Sequence, residues 1–175
     1  MEEVILVDKY NNTIGFMEKI EAHQKGLLHR AFSIFILNSK NEILLQRRAL
    51  DKYHSGGLWT NTCCSHPRKN ETILDAANRR LFEEMGMKGE LTKAFEFIYK
   101  AKLNNELTEH EHDTVFIGVS DSLPKINLNE VCDFAYISIN DLENDIENNS
   151  AKYTFWLKAC FKNFKQYSDS LINKD

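Results

Sequence analysis

Over the first fifty residues, apolar side chains come in short extended runs separated by polar turns. "EVILVD" (3–8), "KYNN" (9–12) and "TIGFMEK" (13–19) read as two strands about an Asn-rich turn. "HRAFSIFILN" (29–38), "SKNE" (39–42) and "ILLQRRA" (43–49) repeat the pattern with more β-branched and aromatic residues, so two hairpins are predicted to open the chain. The period then changes. In "ETILDAANRRLFEEMGM" (71–87) Leu74, Ala77, Leu81 and Met85 recur at helical spacing and Gly86 follows as a stop, which predicts a helix. "ELTKAFEFIYKAKL" (90–103) and "TEHEHDTVFIGVS" (108–120) flank "NNEL" (104–107) as a long antiparallel hairpin, and "FAYIS" (134–138) is a last strand. "INDLENDIENN" (139–149) and "AKYTFWLKACFKNFKQ" (151–166) return to helical spacing, and the polar end, the last ~8 residues, is expected to fray. The class is α+β, mostly antiparallel sheet with helices packed on it.

At 175 residues, 42% hydrophobic and 27% charged, the chain has the size and composition of one globular domain, here residues 1–175. Only two prolines and seven glycines interrupt it, and there is no linker or repeat. The acidic start has too short an apolar run for a signal peptide, and no stretch approaches the ~20 apolar residues of a membrane span. A cytoplasmic protein, a monomer with no membrane or nucleic-acid partner, is expected. Four cysteines, two of them adjacent and none in a C-x-x-C pair, argue against a disulfide framework.

The net charge of -4 hides a basic cluster, Arg47, Arg48, Lys52, Arg68, Lys69, Arg79 and Arg80, which reads either as a solvated face or as an anion pocket. On the predicted helix, Arg79 with Glu83 and Arg80 with Glu84 share a face, pointing away from the apolar stripe. In "TEHEHD" a period of two puts Glu109, Glu111 and Asp113 on one side of a strand. Three acids there repel one another unless water or a bound cation offsets them, and two carboxylates with several imidazoles suit Mg, Mn or Zn. His23, His29 and His66 are further imidazoles. "WTNTCCSHP" (59–67) sets Cys63, Cys64 and His66 together as metal ligands, a redox pair, a catalytic group or buried small residues, and spacing alone does not choose.

Taken together, "GLWTNTCCSHP", "ETILDAANRRLFEEMG" and "TEHEHDTVF" resemble type I isopentenyl diphosphate isomerase, a member of the Nudix superfamily, from about Lys19 to Trp156. The signature G-x5-E-x7-R-E-u-x-E-E-x-G-u, with u apolar, has counterparts in Glu71, Arg79, Leu81, Glu83, Glu84, Gly86 and Met87. Ser65 replaces the leading Gly, and Arg80 replaces the Glu after Arg79. The second departure puts metal-assisted hydrolysis in doubt while leaving diphosphate binding intact.

The resemblance implies a Nudix-like α/β/α fold with mixed, mostly antiparallel sheets, and isomerisation of isopentenyl to dimethylallyl diphosphate through a tertiary carbocation, in isoprenoid biosynthesis. It implies Cys64 and Glu111 as proton-transfer groups, with Tyr99 beside Glu111 and Trp156 facing the cation. It implies one divalent ion (Mn2+, Zn2+ or Mg2+) held by His23, His29, His66, Glu109 and Glu111 with one coordination place open. A second ion, Mg2+, would sit between the substrate diphosphate, Glu84 and the Cys64 carbonyl. Lys19, Arg48, Lys52 and Arg80 match the residues around the diphosphate. Cysteine suits such a role because its ordinary pKa of about 8.5 keeps thiol and thiolate both within reach of neutrality. The alternatives are a Nudix hydrolase of a nucleoside or prenyl diphosphate, and a zinc-stabilised or thiol-redox module built on Cys63, Cys64 and His66.

Overall fold

The computed structural model describes residues 2–103 and 106–172. Its elements are β1 (Glu3–Val7), β2 (Thr13–Glu18), α1 (Lys19–Lys25), β3 (His29–Leu37), β4 (Glu42–Arg48), β5 (Trp59–Thr60), β6 (Cys63–Ser65), α2 (Ile73–Met85), β7 (Thr92–Lys102), β8 (Thr108–Val119), β9 (Val131–Ser138), α3 (Ile139–Asn148), a 3-10 turn (Ser150–Lys152) and α4 (Phe155–Ile172). The strands predicted from the two-residue period are all present, and the turn residues Asn104 and Asn105 lie outside the described residues. No described helix is long and apolar enough to cross a membrane.

Strand β3 is the organising element. Along one edge it pairs in parallel with β8 over its whole length, His29 opposite Glu111 through Leu37 opposite Val119. Its other edge meets β1 at Leu6↔His29, β6 at Phe32↔Ser65 to Ile34↔Cys63, and β4 at Leu37↔Ile43, all antiparallel. β4 then pairs with β9, and β7 with β8. The sheet is mixed and mostly antiparallel, as expected. The parallel pairing has no local sequence signal, because β3 and β8 are about seventy residues apart.

Between β3 and β4 the ladder opens to admit β5 and β6, and the side chains of Asn61 and Thr62 repair it. Thr62 Oγ1 accepts from Ile36 N (2.8 Å) and donates to Leu44 O (2.6 Å), while Asn61 Nδ2 donates to Ile34 O and Cys63 O (3.2 and 2.7 Å). All four backbone groups are buried there, where an unpaired amide or carbonyl costs about 1–3 kcal/mol.

Alternation along β3 divides the core. Phe32, Ile34 and Ile36 face α2, packing with Cys63, Ala76, Ala77, Leu81, Met85 and Phe116. Phe35 faces the other way, toward Leu142 of α3 and Leu157, Cys160, Phe161 and Phe164 of α4. Helix α2 starts where Thr72 Oγ1 caps Asp75 N (3.1 Å) and ends at Gly86, whose φ of 64° and a backbone oxygen 2.6 Å from where a Cβ would lie exclude any other residue without strain. Its buried stripe differs from the predicted one. Leu74 is 42% exposed, and Ala76, Ala77, Leu81 and Met85 are joined by a carboxylate, Glu84, which is buried instead of pointing away from the core.

Two helical features were not apparent from periodicity. The seven residues of α1 are too few to show a period, but Glu18 caps Glu21 N (2.9 Å) and Gly26 closes the helix in the left-handed region. Helix α4 runs into the polar end as far as Ile172, and the rest of that end lies outside the described residues.

Candidate active site and cation cluster

The β3 face opposite α2 changes character toward the start of the strand. Where Phe35 and Val115 pack on α4, the same face two, four and six residues earlier carries Ser33, Ala31 and His29, aligned with Val115, Asp113 and Glu111 of β8. Cys64 is paired with Ser33 and so projects to this face, whereas Cys63, paired with Ile34, projects into the α2 core. One peptide bond separates the two thiols and puts them on opposite sides of the sheet. All four cysteines are free, and no redox pair forms.

The three acids predicted to share a side of β8 do so, and water is not what offsets them: Glu109, Asp113 and Glu111 are only 3%, 1% and 8% exposed. Asp113 is neutralised. Burial and the nearby Glu111 push its carboxyl well above the usual range, and Ser33 Oγ donates to its Oδ2 at 2.7 Å. Burial also raises Glu109 well above its ordinary value, reinforced by Glu111. Burial works against ionising Glu111 as well, but His29 and His66 overcome it and hold that carboxyl well below the usual range. Protein groups alone therefore support one negative charge across Glu109 and Glu111.

The imidazoles converge on the same point. His23 from α1 and His29 from β3 are fully buried, and each is held by Nδ1 donating to a backbone carbonyl, Lys19 O at 2.7 Å and Leu27 O at 2.8 Å. That fixes Nδ1 as a protonated nitrogen in each and leaves both Nε2 atoms buried and without a hydrogen-bond partner, as is Glu109 Oε2. His23 Nε2 stands 3.4 Å from Glu109 Oε2, His29 Nε2 3.6 Å and His66 Nε2 2.8 Å from Glu111 Oε1. Donor atoms of His23, His29, His66 and Glu111 lie within 4.8 Å of one another, and a second such group joins His23 and Glu109 to His54. Orphaned nitrogens facing carboxylate oxygens at these spacings fit a divalent cation, which would let both glutamates ionise. Burial lowers His66 to about 4 and His54 to about 3, so both are neutral, the state a ligand needs.

In front of this cluster lies an open cavity of about 520 Å3. Cys64, Tyr99, Glu111 and Trp156 line it, as do Lys19, Arg48, Lys52 and Arg80, so the eight residues implied for proton transfer and diphosphate binding are brought together. Tyr99, directly across the ladder from Glu111, donates from its hydroxyl to Oε2 at 2.6 Å. Trp156, in the first turn of α4, turns its ring to the Arg48 guanidinium at 5.2 Å and to the His54 ring at 5.7 Å. Trp59 packs into the α4 core instead.

Glu84 lines the cavity from α2, fixed by Gln46 Nε2 at 2.8 Å and by Arg80 Nε at 3.0 Å. Arg80 also reaches Glu83 and Glu130 (3.0 Å each), and Lys52 bonds Glu130. Arg79 and Glu71 form a two-pronged pair (2.7 and 2.8 Å) that ties the loop before α2 to the helix. One chemical expectation is corrected. Burial pushes the Cys64 thiol far above its ordinary value, with only Arg48 opposing and Glu84, Glu111 and Asp113 reinforcing, so a thiol, not a thiolate, rests in the cavity.

Tyr53, His54 and Glu130 also line the cavity and were missed by sequence reasoning. The signal for the first two was a ring pair inside "LDKYHSGG", beside Lys52 in a segment read only as a loop. Glu130 stands in an undistinguished polar stretch and had none.

A family model for the NUDIX domain matches residues 27–157. A protein of Aromatoleum aromaticum called "Isopentenyl-diphosphate Delta-isomerase 2" is 52% identical over 91% of this chain and 84% of its own length. One of the same name from Photorhabdus laumondii is 52% identical over 97% and 96%, and "Isopentenyl-diphosphate Delta-isomerase" of Pectobacterium atrosepticum is 47% identical over 95% and 93%. Among solved structures, DR0079 of Deinococcus radiodurans superposes with a TM-score of 0.70 at 18% identity over 85% of this chain and 90% of its own. A MutT protein of Methanosarcina mazei gives 0.66 at 18% identity over 81% and 95%. At that identity the structural likeness speaks for the fold alone.

Proposed function

This chain belongs to the isopentenyl-diphosphate Delta-isomerases of the NUDIX family, and from that premise we propose how its own residues interconvert isopentenyl and dimethylallyl diphosphate. Shifting the double bond adds a proton at one terminal carbon and removes one from the carbon on the other side of the branch. Two proton-transfer groups facing the same substrate are the minimum. Cys64 and Glu111 take these roles, and the observation that carries the assignment is their convergence on one cavity, with Tyr99 bonded to Glu111 at 2.6 Å. At rest the pair is thiol and carboxylate, so it holds a proton to give and a place to receive one. The forward and reverse reactions exchange which group gives and which receives.

Protonating an unactivated alkene produces a tertiary carbocation, which must be stabilised without meeting a nucleophile. The Trp156 ring supplies a π face, a contact worth about 0.5–2 kcal/mol or more when desolvated. Lys19, Arg48, Lys52 and Arg80 bind the diphosphate, which anchors the five-carbon end between Cys64 and Glu111. His23, His29, His66, Glu109 and Glu111 would hold one divalent ion, Mn2+, Zn2+ or Mg2+. Glu84 and the Cys64 carbonyl would meet a Mg2+ carried by the diphosphate. Such ions supply charge neutralisation of the phosphate oxygens and hold Glu111 in place.

Hydrolysis is disfavoured by Arg80: a cation, oriented by Glu83 and Glu84, occupies the position of a signature carboxylate that would hold a hydrolytic metal. Incubation with isopentenyl diphosphate and Mg2+ in deuterated water is expected to give dimethylallyl diphosphate carrying deuterium. Unlabelled substrate with no allylic product, or release of phosphate that survives Cys64→Ala, would reject the proposal.

A further inference from the structure

The cation cluster contains one imidazole more than the resemblance implies. His54, from the loop between β4 and β5, is buried, and its Nε2 lies 3.2 Å from Glu109 Oε1. That is closer than His23 Nε2 comes to the same carboxylate, 3.4 Å. The two rings approach different oxygens of Glu109, and donor atoms of all three residues fall within 4.8 Å of one another.

With metal–ligand bonds of about 2.0–2.2 Å, adjacent donors of an octahedral shell are roughly 3 Å apart and opposite donors roughly 4.3 Å. The contacts His66–Glu111 at 2.8 Å, His54–Glu109 at 3.2 Å, His23–Glu109 at 3.4 Å and His29–Glu111 at 3.6 Å all have the length of octahedral edges. His54 is therefore placed as Glu109 is: both share a donor group with His23, and neither joins the group formed by His23, His29, His66 and Glu111. Its ring is also anchored as ligand imidazoles are. Nδ1 lies 3.3 Å from Ser55 Oγ, the ring stands edge-on to Tyr53 at 4.3 Å and to Trp156 at 5.7 Å, and Arg48 Nη2 donates to its carbonyl at 3.3 Å.

We propose that His54 is a direct sixth ligand of the divalent cation, closing the place that three histidines and two glutamates leave open. This rests on the cluster being a cation site. Its chemical consequence is dryness: a sixth protein donor leaves no coordination place for water beside a cavity in which a carbocation must survive. It also couples the cluster to Trp156 through a shared ring contact.

The test is Mn2+ binding to chelator-stripped enzyme without substrate, read by titration and by pulsed EPR in water and deuterated water. Wild type is expected to show four histidine nitrogens on the bound ion and no exchangeable water ligand. His54→Gln should show three nitrogens, a newly bound water and an affinity lower by about 10–100-fold. Loss of affinity alone decides nothing, because a residue that merely orients a ligand has an effect of about 10–100-fold as well; the nitrogen and water counts are the readout. Three histidine nitrogens and a bound water already present in wild type would overturn the sixth-ligand assignment while leaving the cation site intact. No high-affinity Mn2+ in wild type would overturn both. The wild-type spectrum decides even if the variant folds poorly.

Discussion

The two faces of the β3–β6 ladder start from nearly identical chemistry and diverge completely. Cys63 and Cys64 are adjacent, of one residue type and on one three-residue strand. Cys63 packs with Phe32, Ile34 and Leu81 in a dry core under α2, where its thiol serves as a small apolar group. Cys64, facing the other way beside Ser33, meets Glu84, Glu111 and Arg48 in an open cavity. The α2 face is held mainly by dispersion and burial among Phe32, Ile34, Cys63, Leu81 and Met85. The other face accumulates buried nitrogens and oxygens that lack partners. Such atoms lower stability unless something binds them, so the difference locates function: the apolar face stabilises the frame against which an unsatisfied face is kept in register.

Substitution at the two cysteines breaks the comparison most strongly. Cys64→Ala and Glu111→Gln are expected to lower kcat by at least about 10^3-fold with KM nearly unchanged, since general acid–base groups contribute some 10^2–10^4-fold each. Cys63→Ala should keep most of the activity and lower the unfolding free energy by roughly 1 kcal/mol, a small cavity in the core. Equal loss of turnover in both cysteine variants would refute the division of roles.

A second contrast uses stability. Leu81→Ala should lower unfolding free energy by about 2–5 kcal/mol whether or not divalent cations are present. On the opposite face, wild type should gain about 2.7 kcal/mol from Mn2+ at a hundred times its Kd, a gain that His29→Ala loses. Thermal melts of both variants with Mn2+ and with chelator measure this, and a metal-dependent Leu81→Ala or a metal-responsive His29→Ala would contradict it.

The smallest effect is in pH. Without divalent cations, His54 and His66 have folded pKa values of about 3 and about 4, below the value of about 6.5 in the unfolded chain. Between those limits the unfolded state binds more protons at these two imidazoles, whereas the raised Asp113 and Glu109 carboxyls keep protons in the folded state that the unfolded chain releases, so the two pairs pull stability in opposite directions as pH rises. The melting temperature of chelator-treated wild type is therefore expected to change little between pH 7 and pH 5, whereas His54→Gln, which removes one imidazole, is expected to melt higher at pH 5 than at pH 7, and identical profiles for the two proteins would show that His54 is not held neutral.

What the sequence by itself determined was what nearest neighbours carry: the strands by their two-residue period, α2 by its helical spacing and the Gly86 stop, and the placing of Glu109 with Glu111 on one side of β8. The specific stretches "WTNTCCSHP" and "TEHEHD" also named the residues that the fold later gathers. Tertiary structure alone decided which face each side chain meets, because that depends on the partner strand. The parallel β3–β8 ladder set Glu111 beside His29, and β6 beside β3 set Cys64 beside Ser33. Burial turned Glu84 inward, raised the Cys64 thiol and brought His54 from a loop to within 3.2 Å of Glu109. Sequence spacing encodes periodicity along one chain segment, whereas desolvation and charge proximity arise only when segments far apart in sequence pack together.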